Sequence, residues 1–197
     1  MKKFLLPLAF FALLIGCISI FEWKNQRAYA PKATFSEINL AHRVDSMGLL
    51  AADIHISISK SGYVLRLMAD TFVLKSYPVV LGGNPVDDKL RQGDECTPEG
   101  IFHLRAKYPH NKWSKFLWID YPTDDSWCKH RAAKADGTIP ESVSIGGEVG
   151  IHGVPAGKDY LISEGFNWTL GCISLRNEDV DEIYPFVEVG TEVRIGK

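Results

Sequence analysis

The sequence has no excess of positive charge, and that removes one broad class of function. Lys and Arg number 22 against 24 Asp and Glu, a formal net charge of −2. Residues 1–30 hold four of the basic residues and one of the acidic ones, so the remainder carries 18 basic and 23 acidic side chains, a net −5. Binding to a nucleic-acid backbone draws on clustered Lys and Arg, so no nucleic-acid partner is expected. There is no internal repeat at solenoid or propeller periods and no low-complexity tract. What is present is a chain of 197 residues, 46% hydrophobic and 23% charged. This fits one soluble globular domain of ordinary size with a tail.

Charge is also missing from residues 4–21, "FLLPLAFFALLIGCISIF", which follow the basic start "MKK". This is the layout of an export signal or a short membrane anchor. Three readings of it stay open. Retained, the stretch spans a bilayer, with Lys2 and Lys3 on the cytoplasmic side and Trp23 at the far interface. "LIGC" (14–17) resembles a lipobox, which would lipidate Cys17. "AYA" (28–30) has the small-x-small form of a cleavage site, although Pro31 follows it. Each reading delivers the body outside the cytoplasm. Residues 31–50 read as a juxtamembrane stalk or helix, with Phe35, Ile38 and Ala41 at weak helical spacing and Gly48 ending the run. Residues 51–197 form the body.

Only four cysteines occur. Cys17 belongs to the anchor. Cys96, Cys128 and Cys172 would face an oxidising compartment, where thiols tend to pair, and three is odd. A Cys96–Cys128 disulfide would close a loop of about 33 residues and stabilise by roughly 3–4 kcal/mol in the chain-entropy picture. Whether the two pair stays open; a disulfide between them would leave Cys172 free.

From Asp53 the pattern has period two. "IHISIS" places Ile54, Ile56 and Ile58 on one face of a strand. "SKSG" (59–62) turns, "YVLRLM" (63–68) returns, and "FVLKSYPVVLG" (72–82) is a third strand with Pro78 at a bulge or edge. Residues 82–104 read as a long loop leading into a strand, with "TPEG" (97–100) as a turn. "FLWIDYP" (116–122) is another strand. The polar stretch 124–142 reads as a surface loop. "SVSIGGEVGIHGVP" (142–155) approaches as a strand with Gly-rich relief. "NEDVDEIYPFV" (177–187) reads as a helix capped by Asn177, with Val180, Ile183, Tyr184 and Val187 on one face. "GTEVRI" (190–195) closes the chain as a strand. The expected class is mostly β, a sandwich or barrel-like fold with one or two short helices.

A cysteine in "WTLGCISL" (168–175) is by default a buried structural thiol. It becomes a nucleophile only as thiolate, with a neighbouring base and donors for the oxyanion that forms on the substrate. His152 in "IHG" is the best base, because Gly153 beside it frees backbone carbonyls to orient the ring. Gly171 lets the backbone approach a substrate closely, and the amides of Gly171 and Cys172 can point at one oxygen. Thr169 either positions His152 or a donor, or caps a turn. Trp168 and Tyr121 either wall a groove or belong to the core. His55 and His103 read as surface. His42, His110 and His130 have no partners by spacing, so neither a metal nor a cofactor is expected.

"IHG" followed by "TLGCISLRN" resembles the signature of the L,D-transpeptidase (YkuD-like) catalytic domain: His-Gly, a spacer, then Ser/Thr-x-Gly-Cys. "KLRQGDECTPEGIF", "YP" at 121–122, "NWTLGCISLRNEDVDEI" and "VGTEVRI" extend the resemblance over roughly residues 52–196. It implies a β-rich L,D-transpeptidase fold, Cys172 as nucleophile with His152 as base, peptidoglycan stem peptides as donor and acceptor, and no metal. The reaction implied is attack on the L–D bond after the third stem residue, loss of D-Ala, and resolution of the thioester by an amine to give a 3→3 cross-link. Resolution by water would make a carboxypeptidase or amidase, and loss of turnover a wall-binding module. Many members carry Arg two residues after the cysteine. Here that position is Ser174, and Arg176 lies two further on, each a candidate substrate contact or a plain structural side chain. Lys89, Arg91 and Asp94 either meet charged groups of stem peptides or form a solvated face.

Overall fold

A computed structural model of the chain describes residues 39–197. The anchor, Cys17 and the first part of the stalk lie outside the described residues. The described part opens with helix α1 (Leu40–Met47). Asn39 caps its start by accepting from His42 N, and Gly48 ends it in the left-handed region at φ 64°. Gly48 terminates the helix as its position in the sequence suggests. The buried face differs from the expected one. Leu40 and Val44, spaced i,i+4, enter the main hydrophobic core, while Ala41 is exposed. This part of the expected stalk is therefore packed into the body.

Eight strands follow: β1 (Ile54–Ser59), β2 (Val64–Ala69), β3 (Phe72–Pro78), β4 (Gly100–His110), β5 (Ser114–Ile119), β6 (Gly150–His152), β7 (Ile173–Ser174) and β8 (Glu192–Gly196). They form one mixed sheet in the order β3-β2-β1-β8-β4-β5-β6-β7. β1 pairs antiparallel with β2 and parallel with β8, and β8 pairs antiparallel with β4. The period-two reading of β1 holds, with Ile54, Ile56 and Ile58 buried and the residues between them half-buried. β3 is an edge strand, which accommodates Pro78, and the irregularity in its pairing lies instead opposite Leu67 and Met68. Beyond β3 the chain curls back. Val80 bridges Ser174 through two backbone hydrogen bonds of 3.0 and 2.9 Å, which joins the β3 end of the sheet to β7. The result is a mostly β, strongly curled half-barrel, in keeping with the barrel-like class expected.

Residues 124–135, read from sequence as a loop, form helix α2 (Asp124–Ala135). Its start signal was present: Thr123 accepts from Ser126 N, and Asp124 and Asp125 fill the first turn. What the sequence lacks is an apolar stripe. The helix buries Ser126, His130 and Ala133, and it is held by polar bonds to the 82–99 loop. Lys129 Nζ reaches Asp88 and Glu99 O, both at 2.8 Å, and His130 Nδ1 meets Leu90 O at 2.6 Å. His130 thus has the partner that its sequence position did not suggest. A short helix α3 (Tyr160–Ser163) precedes the cysteine turn, and α4 (Asn177–Ile183) follows it. Arg176, not Asn177, is the N-cap residue of α4.

The possible Cys96–Cys128 disulfide is not formed in this geometry. Both thiols are free. Cys96 is 2% exposed, and its sulfur donates to Asp94 O at 3.3 Å. Cys128 lies off the buried 126/130/133 face of α2, exposed, with its sulfur accepting from Arg131.

Two measurements check this arrangement. Leu40→Ala should lower the unfolding free energy by about 2–5 kcal/mol in urea, as a fully buried leucine requires; a loss under about 0.5 kcal/mol would detach α1 from the core. Native maleimide labelling with peptide mapping should modify Cys128 and find no Cys96–Cys128 cystine peptide.

Candidate active site

The two residues of interest are brought together by strand register. β6 pairs with β5 so that Phe116 faces His152 and Trp118 faces Gly150. β6 pairs in parallel with β7 so that Ile151 faces Ile173 and His152 faces Ser174. Ile151 and Ile173 both enter the main core. Side chains alternate along a strand, so His152 and Ser174 point to the other face, and Cys172, two residues before Ser174, joins them there. Gly150 N–H donates to the Cys172 sulfur. His152 and Cys172 line one cavity of about 750 Å3.

His152 is buried among aromatic rings. Trp113 stacks on it at 4.3 Å between centroids, Phe116 lies nearly parallel at 5.7 Å, and Trp168 meets it edge-on at 5.6 Å. His110 stacks on Trp113 at 4.5 Å, so it too belongs to this cluster. Nδ1 of His152 stands 2.6 Å from Gly153 O. A carbonyl only accepts, so Nδ1 carries the hydrogen and Nε2 holds the lone pair. Ser174 Oγ donates to the same carbonyl at 3.2 Å. The position of Gly153 is fixed by its own N–H, which donates to Trp113 O at 3.0 Å, and by Asn177 Oδ1, which accepts from Val154 N at 3.1 Å. A Cβ at residue 153 would collide with Asn177 Oδ1 and stand 2.7 Å from Trp113 O, so only glycine fits.

Cys172 ends a turn built by Thr169. The Thr169 hydroxyl donates to Cys172 O at 2.6 Å and accepts from Gly171 N at 3.2 Å. Gly171 has φ 138°, and a Cβ there would stand 2.7 Å from Cys96 O. The half-buried thiol donates to Glu148 O at 3.6 Å, and no hydrogen bond joins it to His152 in this resting geometry. Glu148 itself holds a left-handed backbone at φ 57°, uncommon for a residue with a side chain, and this conformation accompanies a carbonyl turned to the sulfur.

Burial dominates both ionisations. It pushes the Cys172 thiol up to about 11, against the opposing Gly150 N–H and Lys89. It holds the His152 imidazole down to about 4, outweighing the Gly153 hydrogen bond. At pH 7 the resting pair is therefore neutral thiol and neutral imidazole, not thiolate and imidazolium.

The remaining expected residues divide. Trp168 lines the cavity. Gly171 and Gly153 shape the backbone, but both N–H groups already have acceptors, so neither is free for an oxyanion. Ser174 is fully buried and bonded to the Gly153 carbonyl, out of a substrate's reach. Arg176 is committed to Asp179 at 2.8 and 2.9 Å and to Glu178, and it does not line the cavity. Tyr121 is core. Trp113 and Glu148 went unread, since neither carries a motif and only strand pairing and turn geometry bring them in. Lys89 and Asp94, read as a possible solvated face, are a nearly buried ion pair at 2.8 Å, and Lys89 lines the cavity. Among the described residues no group of three or more His, Cys, Asp and Glu side chains is placed to hold a metal ion.

The neutral pair has a kinetic signature. The rate of Cys172 alkylation by iodoacetamide should climb about tenfold per pH unit between pH 6 and 9, tracking the thiolate fraction of a thiol that titrates high. A plateau reached by pH 7 would mean a resting ion pair and contradict this assignment.

Residues 53–195 match the family described as the L,D-transpeptidase catalytic domain (YkuD). No curated protein sequence matches the chain. Among solved structures, the helical cell shape determining protein Pgp2 from Campylobacter jejuni superposes with a TM-score of 0.55 at 19% identity, covering 82% of this chain and 56% of that one. Bd1075 from Bdellovibrio bacteriovorus superposes with a TM-score of 0.50 at 17% identity, covering 73% and 48%. The chain thus spans about half the length of these two proteins, and likeness at such identity concerns the fold. The match over residues 53–195 places this chain in the L,D-transpeptidase catalytic domain family.

Proposed function

We propose that the protein is a peptidoglycan L,D-transpeptidase that forms 3→3 cross-links through an acyl-enzyme on Cys172. The observation that carries this reading is the shared cavity. A half-buried thiol and an imidazole whose Nδ1–H is locked to Gly153 open on the same apolar-walled space of about 750 Å3. That is room for a peptide strand beside the sulfur. The family acts on peptidoglycan stem peptides.

The neutral resting pair sets the order of events. His152 Nε2 takes the thiol proton as sulfur attacks the carbonyl of the third stem residue, so the charge appears only as the C–S bond forms. The tetrahedral intermediate collapses, the C–N bond to D-Ala breaks, and the leaving amine takes the proton back from His152. A thioester remains on Cys172. The amine of a neighbouring stem then attacks it, His152 accepts that amine's proton and returns it to sulfur, and the cross-linked product leaves. Trp113, Trp168 and Phe116 limit water around the imidazole, which favours an amine over water as acceptor. In the same reading residues 4–21 hold the enzyme at the outer side of the membrane, or Cys17 does so as a lipid attachment point.

The test is mass spectrometry of purified wall digests incubated with the protein. New 3→3 dimers with release of D-Ala, both lost in Cys172→Ala, are expected. Shortened monomers without dimers would replace transfer by hydrolysis. Binding with no product would rule out enzymatic turnover.

A further inference from the structure

An acyl-transfer site needs donors aimed at the oxyanion, and the cysteine turn supplies fewer than its sequence suggests. Gly171 N–H is spent on Thr169 Oγ1 at 3.2 Å, and Gly153 N–H on Trp113 O at 3.0 Å. Cys172 N–H has no acceptor among the described residues. One backbone donor is a weak oxyanion site. Among the described residues Lys89 is the one lysine that lines the cavity. Its side chain is 4% exposed, and its ammonium donates to Asp94 Oδ1 at 2.8 Å and to Arg91 O at 3.2 Å. An ammonium has three N–H bonds, and the third has no acceptor among the described residues. Its Nζ would stand 3.7 Å from a Cβ on Gly171, the residue just before the thiol.

We propose that Lys89 is a further catalytic residue, whose unspent N–H joins Cys172 N–H in holding the oxyanion of the tetrahedral intermediate. Asp94 is the anchor that makes this possible. Its carboxylate accepts from Leu90, Arg91 and Cys96 N–H as well as from Lys89, so the ammonium is fixed before substrate arrives. The Lys89 charge favours the ionised form of Cys172. In the step itself the thiol proton goes to His152 Nε2, the C–S bond forms, and the carbonyl π pair moves onto oxygen. That oxygen accepts from Lys89 and Cys172. Collapse restores the carbonyl and breaks the bond to the leaving group. The inference rests on Cys172 being the acylated nucleophile.

Two small electrophiles separate this role from the alternatives, and neither requires a wall substrate. p-Nitrophenyl acetate acetylates a thiol through a tetrahedral oxyanion and expels p-nitrophenolate. Iodoacetamide alkylates by direct displacement, with no oxyanion. Both rates are read at Cys172 by mass spectrometry on the full chain. In Lys89→Met the ratio of acylation to alkylation should fall by about 100-fold, the scale of one oxyanion donor. The double variant Lys89→Met/Asp94→Asn, which leaves no buried unpaired carboxylate, should show the same low ratio. Equal falls in both rates, which would make Lys89 an aid to thiol ionisation or folding, would overturn the proposal. So would an unchanged ratio, recovery of the ratio in the double variant, or a wild-type protein that p-nitrophenyl acetate does not acylate at Cys172. Failure of the wall digest to yield dimers would leave all these readings standing.

Discussion

The carbonyl of Gly153 is the fixed point of this site. It accepts from His152 Nδ1, which sets the tautomer and the ring plane in one contact, and from the Ser174 hydroxyl on the neighbouring strand. Everything around it keeps that oxygen in place. Trp113 O holds the Gly153 amide, and Asn177 Oδ1 holds the next amide and occupies the space that a side chain at 153 would need. β7 and the start of α4 therefore act on the imidazole without touching it. Second contacts of this kind decide which nitrogen of a histidine is the base. They also give Ser174 its role: at this position the chain uses a small buried hydroxyl as a brace.

The surroundings of the imidazole have an electrostatic cost and a chemical use. Three aromatic rings around the imidazole and the burial of the half-exposed thiol disfavour charge, so His152 and Cys172 rest uncharged. Interactions with charge are strongest in the same low-dielectric space, so a donor aimed at a developing anion counts for more there than in water. A neutral resting pair with a preset tautomer suits the proposed acyl transfer, in which charge is created and removed within one encounter. A stored thiolate would instead be open to oxidation.

How far the sequence was legible depends on how local each signal was. Ile54, Ile56 and Ile58 mark their strand through alternation alone, and Gly48 marks the end of α1. α2 escaped because its attachments are Lys129 and His130, residues that also suit a solvated loop; their partners Asp88, Glu99 and Leu90 lie about thirty to forty residues away on the 82–99 segment. Cys96 and Cys128 were matched on count and compartment, criteria that carry no direction, whereas a disulfide needs side chains that face each other. In the site, Cys172, His152 and the glycines stand in a compact motif. Trp113 is reached only through β5–β6 pairing, and the place of Lys89 only through the approach of its loop to Gly171. The motif residues define the chemistry, and the residues without a motif define the medium in which it happens.

The place of β8 bears on when this chemistry becomes possible during folding. β8 joins β1, to which it pairs in parallel at Ile56–Val193, to β4, to which it pairs at Phe102–Val193. Without it only the bridges beyond β3 would join the two pieces, β1 to β3 on one side and β4 to β7 with the cysteine turn on the other. The Val80–Ser174 bridge that closes the curl needs both pieces in position. Contacts so distant along the chain form late, after their loop entropy has been met. A partly folded chain would thus carry a cysteine of ordinary reactivity, and the matched thiol and imidazole would arise only with the finished sheet.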